Sequence, residues 1–218
     1  MEGVESLDAK EPLVVVDGPN VAYAYADAMA ALEKQAGQKR QPDTRGLMVA
    51  ANYFLEASVR VLIVLPAPWF RSKPRPGDEN QDNAVMLTQQ MDVLQELKEQ
   101  GLLVAAPPRD DDDAYALTIG SREAHRARER EEGGGYVLSN DMFRDAMGRD
   151  ERLSTWLKDE NGRVSFAFCD MGSTDTYGDR ELDFIPNPRH PLVAEIESEV
   201  YGQYDDAEGE PEIHAHDG

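Results

Sequence analysis

The chain has 218 residues, 40 % of them hydrophobic, and a formal net charge of −21. That length and apolar content allow one α/β domain with a full core. They leave no run of about twenty apolar residues to span a bilayer. A single cysteine, Cys169, excludes an internal disulfide framework and a cysteine-based zinc site, and the acidic balance argues against a broadly basic nucleic-acid surface.

In chain order, residues 1–11 are polar, lack the apolar centre of a secretory signal, and are expected to be disordered. A β-branched run predicts a buried strand over 13–16, which delivers Asp17-Gly18-Pro19-Asn20 into an alanine-rich helical pattern over 21–36. A polar, basic loop over 37–44 carries Lys39, Arg40 and Pro42. Leu47, Ala50, Ala51 and Phe54 have helical spacing within 46–57, and an apolar strand over 59–65 is stopped by Pro66 and Pro68. Trp69-Phe70-Arg71-Ser72-Lys73-Pro74-Arg75-Pro76 then reads as an aromatic, basic, proline-rich loop.

A helix is predicted over 82–99, with Gly101 as its stop, then a strand over 102–106. Four aspartates at 110–113 open a long helix that ends at Gly133-Gly134-Gly135. A strand over 136–138 leads into Ser139-Asn140-Asp141 and a helix from about 142. A short helical piece over 154–158, one strand over 164–168 and another over 183–186 complete the body, with Cys169 as a small buried residue at a strand end. Beyond Arg189 there is no Lys or Arg but there are nine acids, and residues 201–218 have the composition of a disordered acidic tail.

Strands alternating with helices predict a mostly parallel sheet covered on both faces. In such sheets functional groups collect beyond the carboxyl ends of the strands. Taken singly, Asp17 at a strand end is more often a turn or helix-capping residue than part of a site. The 110–113 run could cap its helix against the dipole, and Asp141 with Asp145, four apart on one helix face, could be solvated surface. Together they would gather several like charges at one sheet edge, which is costly without compensation. Hard divalent cations with oxygen ligands relieve that cost, and Mg²⁺ suits a few carboxylates, waters and phosphate oxygens. The chemistry such a site serves is metal-assisted attack of water on a phosphodiester. The four histidines, His125, His190, His214 and His216, lie outside these clusters.

The block Val14-Val15-Val16-Asp17-Gly18-Pro19-Asn20-Val21-Ala22, the segments Asn52-Tyr53-Phe54-Leu55 and Trp69-Phe70-Arg71, the pair Asp112-Asp113, and Ser139-Asn140-Asp141-Met142-Phe143-Arg144-Asp145 occur in an order that resembles the NYN domains of the PIN-like superfamily, specifically the Regnase-type endoribonucleases. The resemblance covers about 12–168. It implies a Rossmann-like three-layer α/β/α domain, here bounded at 12–200 between the terminal segments. It also implies a catalytic group of Asp17, Asn20, Asp112, Asp113, Asp141 and Asp145. Of these, Asp17, Asp113, Asp141 and Asp145 would bind Mg²⁺ (or Mn²⁺), and Asn20 would orient a ligand or water. The family's Cys₃His zinc finger is absent, the loop before Asp112 is less basic than is usual, and the 170–180 segment looks like an insertion.

For RNA contact, Trp69, Arg71, Lys73 and Arg75 offer stacking and phosphate partners in one loop, with Lys39, Arg40 and Arg109 as further cations. Ordinary packing is the alternative for Trp69 and Phe70. Arg122, Arg126 and Arg130 read as a solvated, salt-bridged helix face. The activity expected is metal-dependent cleavage of single-stranded or stem-loop RNA. The alternatives are tRNA 5′-end processing of the protein-only RNase P kind and a catalytically silent NYN adaptor. A homodimer, protein contacts through the acidic tail, and an intracellular location, cytoplasmic or nuclear, complete the expectations.

Overall fold

A computed structural model describes residues 10–33, 41–70, 91–107 and 112–205. Five parallel strands form the central sheet in the order β3-β2-β1-β4-β5, with β1 Leu13–Asp17, β2 Arg60–Pro66, β3 Leu103–Ala106, β4 Gly135–Leu138 and β5 Arg163–Val164. The helices are α1 Gly18–Leu32, α2 Arg45–Glu56, α3 Met91–Glu99, α4 Asp112–Arg130, α5 Arg144–Arg149, α6 Glu151–Lys158 and α7 Pro191–Asp205. None of the described helices is long and apolar enough to cross a membrane.

Central strands of a parallel sheet are buried on both faces and so read as continuous apolar runs. In β1, Val14 and Val16 enter one core with Leu47, Phe54, Leu94, Leu192 and Ile196. Val15 points the other way, into a core with Ala116, Leu117 and Trp156. Thus α1, α2, α3 and α7 contribute to one layer, and α4 and α6 to the other. The sequence expectation of a three-layer α/β/α fold holds.

The chain departs from the predicted elements in four places. The strand expected over 164–168 is two pieces. β5 ends at Val164, and Phe166–Cys169 (β6) pairs antiparallel with Asp183–Pro186 (β7) in a separate ribbon. The ribbon packs on α1 and α2 through Tyr25 against Phe168 and Phe54 against Phe184. Cys169 is exposed rather than buried, because it lies in this ribbon and outside the central sheet. Residues 201–205, expected to begin the tail, continue α7, whose Leu192, Val193 and Ile196 are buried in the core. The helix expected from 142 begins at Arg144, because Phe143 is left-handed (φ 48, ψ 36).

At the amino end of the sheet, Glu123 of α4 is 3 % exposed and meets Arg60 at 2.6 Å and Arg130 at 2.9 Å. Arg126 approaches it at 3.8 Å. The salt-bridged face read from the arginine spacing therefore exists, but it is organised around a buried acid. Burial alone would raise the Glu123 carboxyl. The hydrogen bonds from Arg60 and Arg130 outweigh that and hold it below its ordinary value.

Candidate active site

The strand order reverses direction at β1, which has β2 on one side and β4 on the other. The carboxyl ends of β1 and β4 therefore flank a switch-point crevice, the place where open α/β sheets bind ligands. Asp17 is the last residue of β1 and the N-cap of α1, its Oδ1 accepting from the Asn20 amide at 3.3 Å. Gly18 is required by close approach, since a Cβ there would collide with Leu65 and the Val64 carbonyl of β2.

Asp17 is 4 % exposed. Its Oδ2 accepts from the Ser139 hydroxyl at 2.7 Å. Burial, followed in weight by the Ser139 hydrogen bond that opposes it and the charges of Asp113 and Asp112 that reinforce it, pushes the carboxyl up to about 7. Among the described residues no cationic side chain pairs with this buried acid, whereas Glu123 has Arg60 and Arg130.

A cleft of about 320 Å³ opens over Asp17 and is lined by Asn20, Tyr23, Asp27, Asp113, Asn140 and Asp141. An adjoining cleft of about 520 Å³ shares Asp113, Asn140 and Asp141 and adds Phe143, Arg144, Asp145 and Arg149. Asp112 lines neither cleft and acts on Asp17 through its charge. The sequence-derived acids are therefore brought to one edge but spread over two adjoining spaces. Among the described residues, no three His, Cys, Asp or Glu side chains converge closely enough to cage an ion unaided.

The loop after β4 is held by side chains whose roles the sequence did not disclose. Ser139, fully buried, donates to Asp17 and accepts from the Asp141 amide at 3.0 Å. Asn140 uses its carboxamide as a substitute strand: Nδ2 donates to the Phe166 carbonyl and Oδ1 accepts from the Phe166 amide, each at 3.0 Å. Its own amide donates to Asn20 Oδ1 at 2.8 Å. The expected role of Asn20 is thereby narrowed: its carbonyl oxygen ties α1 to the β4 loop. Asp141 lies in that loop and not on a shared helix face with Asp145 as expected, and its Oδ1 accepts from the Phe143 amide at 2.7 Å. The left-handed Phe143, 5 % exposed, is kept in that conformation by its burial in the core.

Trp69 requires a correction. It sits in a 3₁₀ turn, Ala67–Phe70, directly after β2, and is 2 % exposed, so its ring is packed in the core and offers no surface for base stacking. Phe70 also packs against that core. Lys39, Arg40, Arg71, Lys73, Arg75 and Arg109 lie outside the described residues.

The donor set at this edge is oxygen only: carboxylates, carboxamides and a hydroxyl. It has the chemistry of a hard-cation site, and the raised Asp17 carboxyl is the electrostatic signature of a place that a cation would stabilise. Mg²⁺ retains several waters and needs few protein ligands, so open carboxylates on two adjoining clefts suit it better than they would suit a dehydrated cage. Compared with known families, residues 10–181 match the Zc3h12a-like ribonuclease NYN domain. That span takes in both clefts and every element that builds them. The chain belongs to the Zc3h12a-like ribonuclease NYN domain family, and its domain is a nuclease that acts on RNA.

Proposed function

We propose that this chain is a divalent-cation-dependent endoribonuclease that hydrolyses phosphodiester bonds in single-stranded or stem-loop RNA. The observation that carries the reading is Asp17, buried and pushed up to about 7 with Asp113 beside it, at the floor of a cleft shared with Asp141. A structural acid would have been given a cation partner; this one is given more acid.

Asp17, Asp113 and Asp141 would hold Mg²⁺ or Mn²⁺, with Asp145 contributing through water. The ion would supply a more acidic water and offset charge on the phosphate oxygens. The chain's own groups supply position. Ser139 fixes one Asp17 oxygen, the Phe143 amide fixes one Asp141 oxygen, and Asn20 and Asn140 lock the two strand ends together. Arg144 and Arg149, which line the adjoining cleft, are placed to meet RNA phosphates and partly offset the acidic surface.

The test is cleavage of a labelled stem-loop RNA in Mg²⁺ or Mn²⁺, wild type against Asp141→Asn, with a chelator control. The expected result is cleavage by the wild type that the chelator and the substitution each abolish. Equal rates for the two proteins, or full activity in chelator, would overturn the reading. RNA binding without cleavage by either protein would favour the silent adaptor instead.

A further inference from the structure

Hydrolysis at the Asp17 cleft needs a strand held with one phosphate over the carboxylates, and phosphate contacts alone do not fix which nucleotide that is. Unpaired RNA is commonly fixed by stacking a base on an aromatic ring. The residue that sequence suggested for this, Trp69, is packed in the core. Among the described aromatic residues, those lining the two clefts are Tyr23 and Phe143, and Phe143 is buried. Tyr23 is partly exposed.

Its placement follows from helical geometry. Asn20, Tyr23 and Asp27 are spaced by three and four residues and so share one face of α1, the face that walls the cleft. The intervening Val21, Ala22 and Tyr25 are buried in the other direction. About 9 Å of helix separates the Asp17 cap from Tyr23, within the span of a nucleotide from its phosphate to its own base. Trp69 meets the Tyr23 ring in a T-shaped contact, with centroids 6.4 Å apart and planes at 71°. Buried Trp69 thus backs Tyr23 on the core side, while the partly exposed Tyr23 contributes to the lining of the cleft.

Resting on the endoribonuclease reading above, the geometry points to Tyr23 as a base-stacking residue that selects an unpaired nucleobase beside the phosphate to be cut. A base inside a duplex is already stacked on its neighbours and is not free to reach this ring, so the platform disfavours fully paired RNA. Arg144 and Arg149 in the adjoining cleft give the phosphates on the other side of Asp141 a continuing path.

Two measurements test this. First, a hairpin RNA carrying 5-iodouridine at successive loop positions is irradiated with the wild-type protein and with Asp141→Asn, and the adducts are mapped by mass spectrometry. The expected adduct is on Tyr23, for the nucleotide flanking the cleaved bond, in both proteins. Adducts that map to other residues and never to Tyr23 would overturn the assignment. Second, kcat/KM is compared on the same hairpin with and without an abasic site at that nucleotide. Tyr23→Leu is expected to lose about 10-fold on the intact hairpin and nothing further on the abasic one, while Tyr23→Phe keeps the wild-type rate on both. An equal loss on the two RNAs, or no loss on either, would overturn it. If the wild type leaves RNA uncut but forms the Tyr23 adduct, the hydrolytic reading falls and the stacking assignment stands. If it cuts RNA with no adduct at Tyr23, the reverse holds.

Discussion

Two carboxylates lie buried at opposite ends of the same sheet, and their surroundings differ in kind. Glu123, at the amino ends of the strands, is 3 % exposed and gripped by Arg60 and Arg130. Asp17, at the carboxyl ends, is 4 % exposed and receives a hydroxyl and an amide while Asp113 and Asp112 add like charge. Both acids lose water, but only Glu123 is repaid by opposite charge. One end of the sheet is built to hold the layers together. The other keeps an unmet electrostatic demand that stability alone would have removed.

The largest expected effect tests the Asp17 end. Asp17→Asn should lower RNA cleavage by at least about 100-fold while leaving the metal-free fold intact; cleavage rates and thermal melting together would show it. Loss of both activity and folding would make Asp17 a structural acid like Glu123.

The same variant exposes a pH dependence. Asp17 is raised from an ordinary 3.8 to about 7, so between those values the unfolded chain has released a proton that the folded chain still holds. Its contribution to metal-free stability is complete below about 4, declines as pH rises, and is lost above about 7, by on the order of 4 kcal/mol. The stability of wild type relative to Asp17→Asn, followed by denaturant melts in chelator, should fall over that window and level off above it. Added Mg²⁺ should restore more stability above the window than below it.

At the other end, Glu123→Gln should cost about 2 kcal/mol in denaturant melts. That is less than breaking a fully buried pair, because Arg60 and Arg130 remain a quarter exposed. Cleavage at a temperature where the variant is folded should match the wild type. Asn140→Ala lies between the two ends in character. It removes both hydrogen bonds to the Phe166 backbone and should cost about 1–2 kcal/mol. It should also speed hydrogen exchange at the Phe166 amide and slow cleavage more mildly than Asp17→Asn does.

The apolar runs of β1 and β2 were legible because strands buried on both faces leave a continuous β-branched or aliphatic record. Asp17 and Asp141 were legible because the first ends such a run and the second closely follows β4. What the sequence hid is tertiary. Val164-Ser165-Phe166-Ala167-Phe168 alternates like one strand, and only the Asn140 carboxamide capturing Phe166 shows where the chain leaves the sheet. Trp69 and Phe70 beside basic residues resemble an RNA loop, yet the 3₁₀ turn after β2 drives Trp69 inward. The acid-rich sequence of 191–205 conceals a helix because Leu192, Val193 and Ile196 are few, though they are spaced to meet one core. Tyr23 carried a readable signal, the three-residue spacing from Asn20, which gains meaning only once α1 is known to wall the cleft.

The ribbon of β6 and β7 is anchored at its base, where Asn140 holds Phe166, and again where the Tyr25 hydroxyl accepts from the Leu182 amide at 3.3 Å. Between those anchors the connection turns on its own hydrogen bonds, with Asp175 accepting from the amides of Tyr177 and Asp179 and with Tyr177 90 % exposed at its outer end. For the protein engineer this is a grafting point. A peptide tag or a small folded domain inserted beside Tyr177 would load neither anchor, so the enzyme could be tracked or recruited without disturbing its carboxylates.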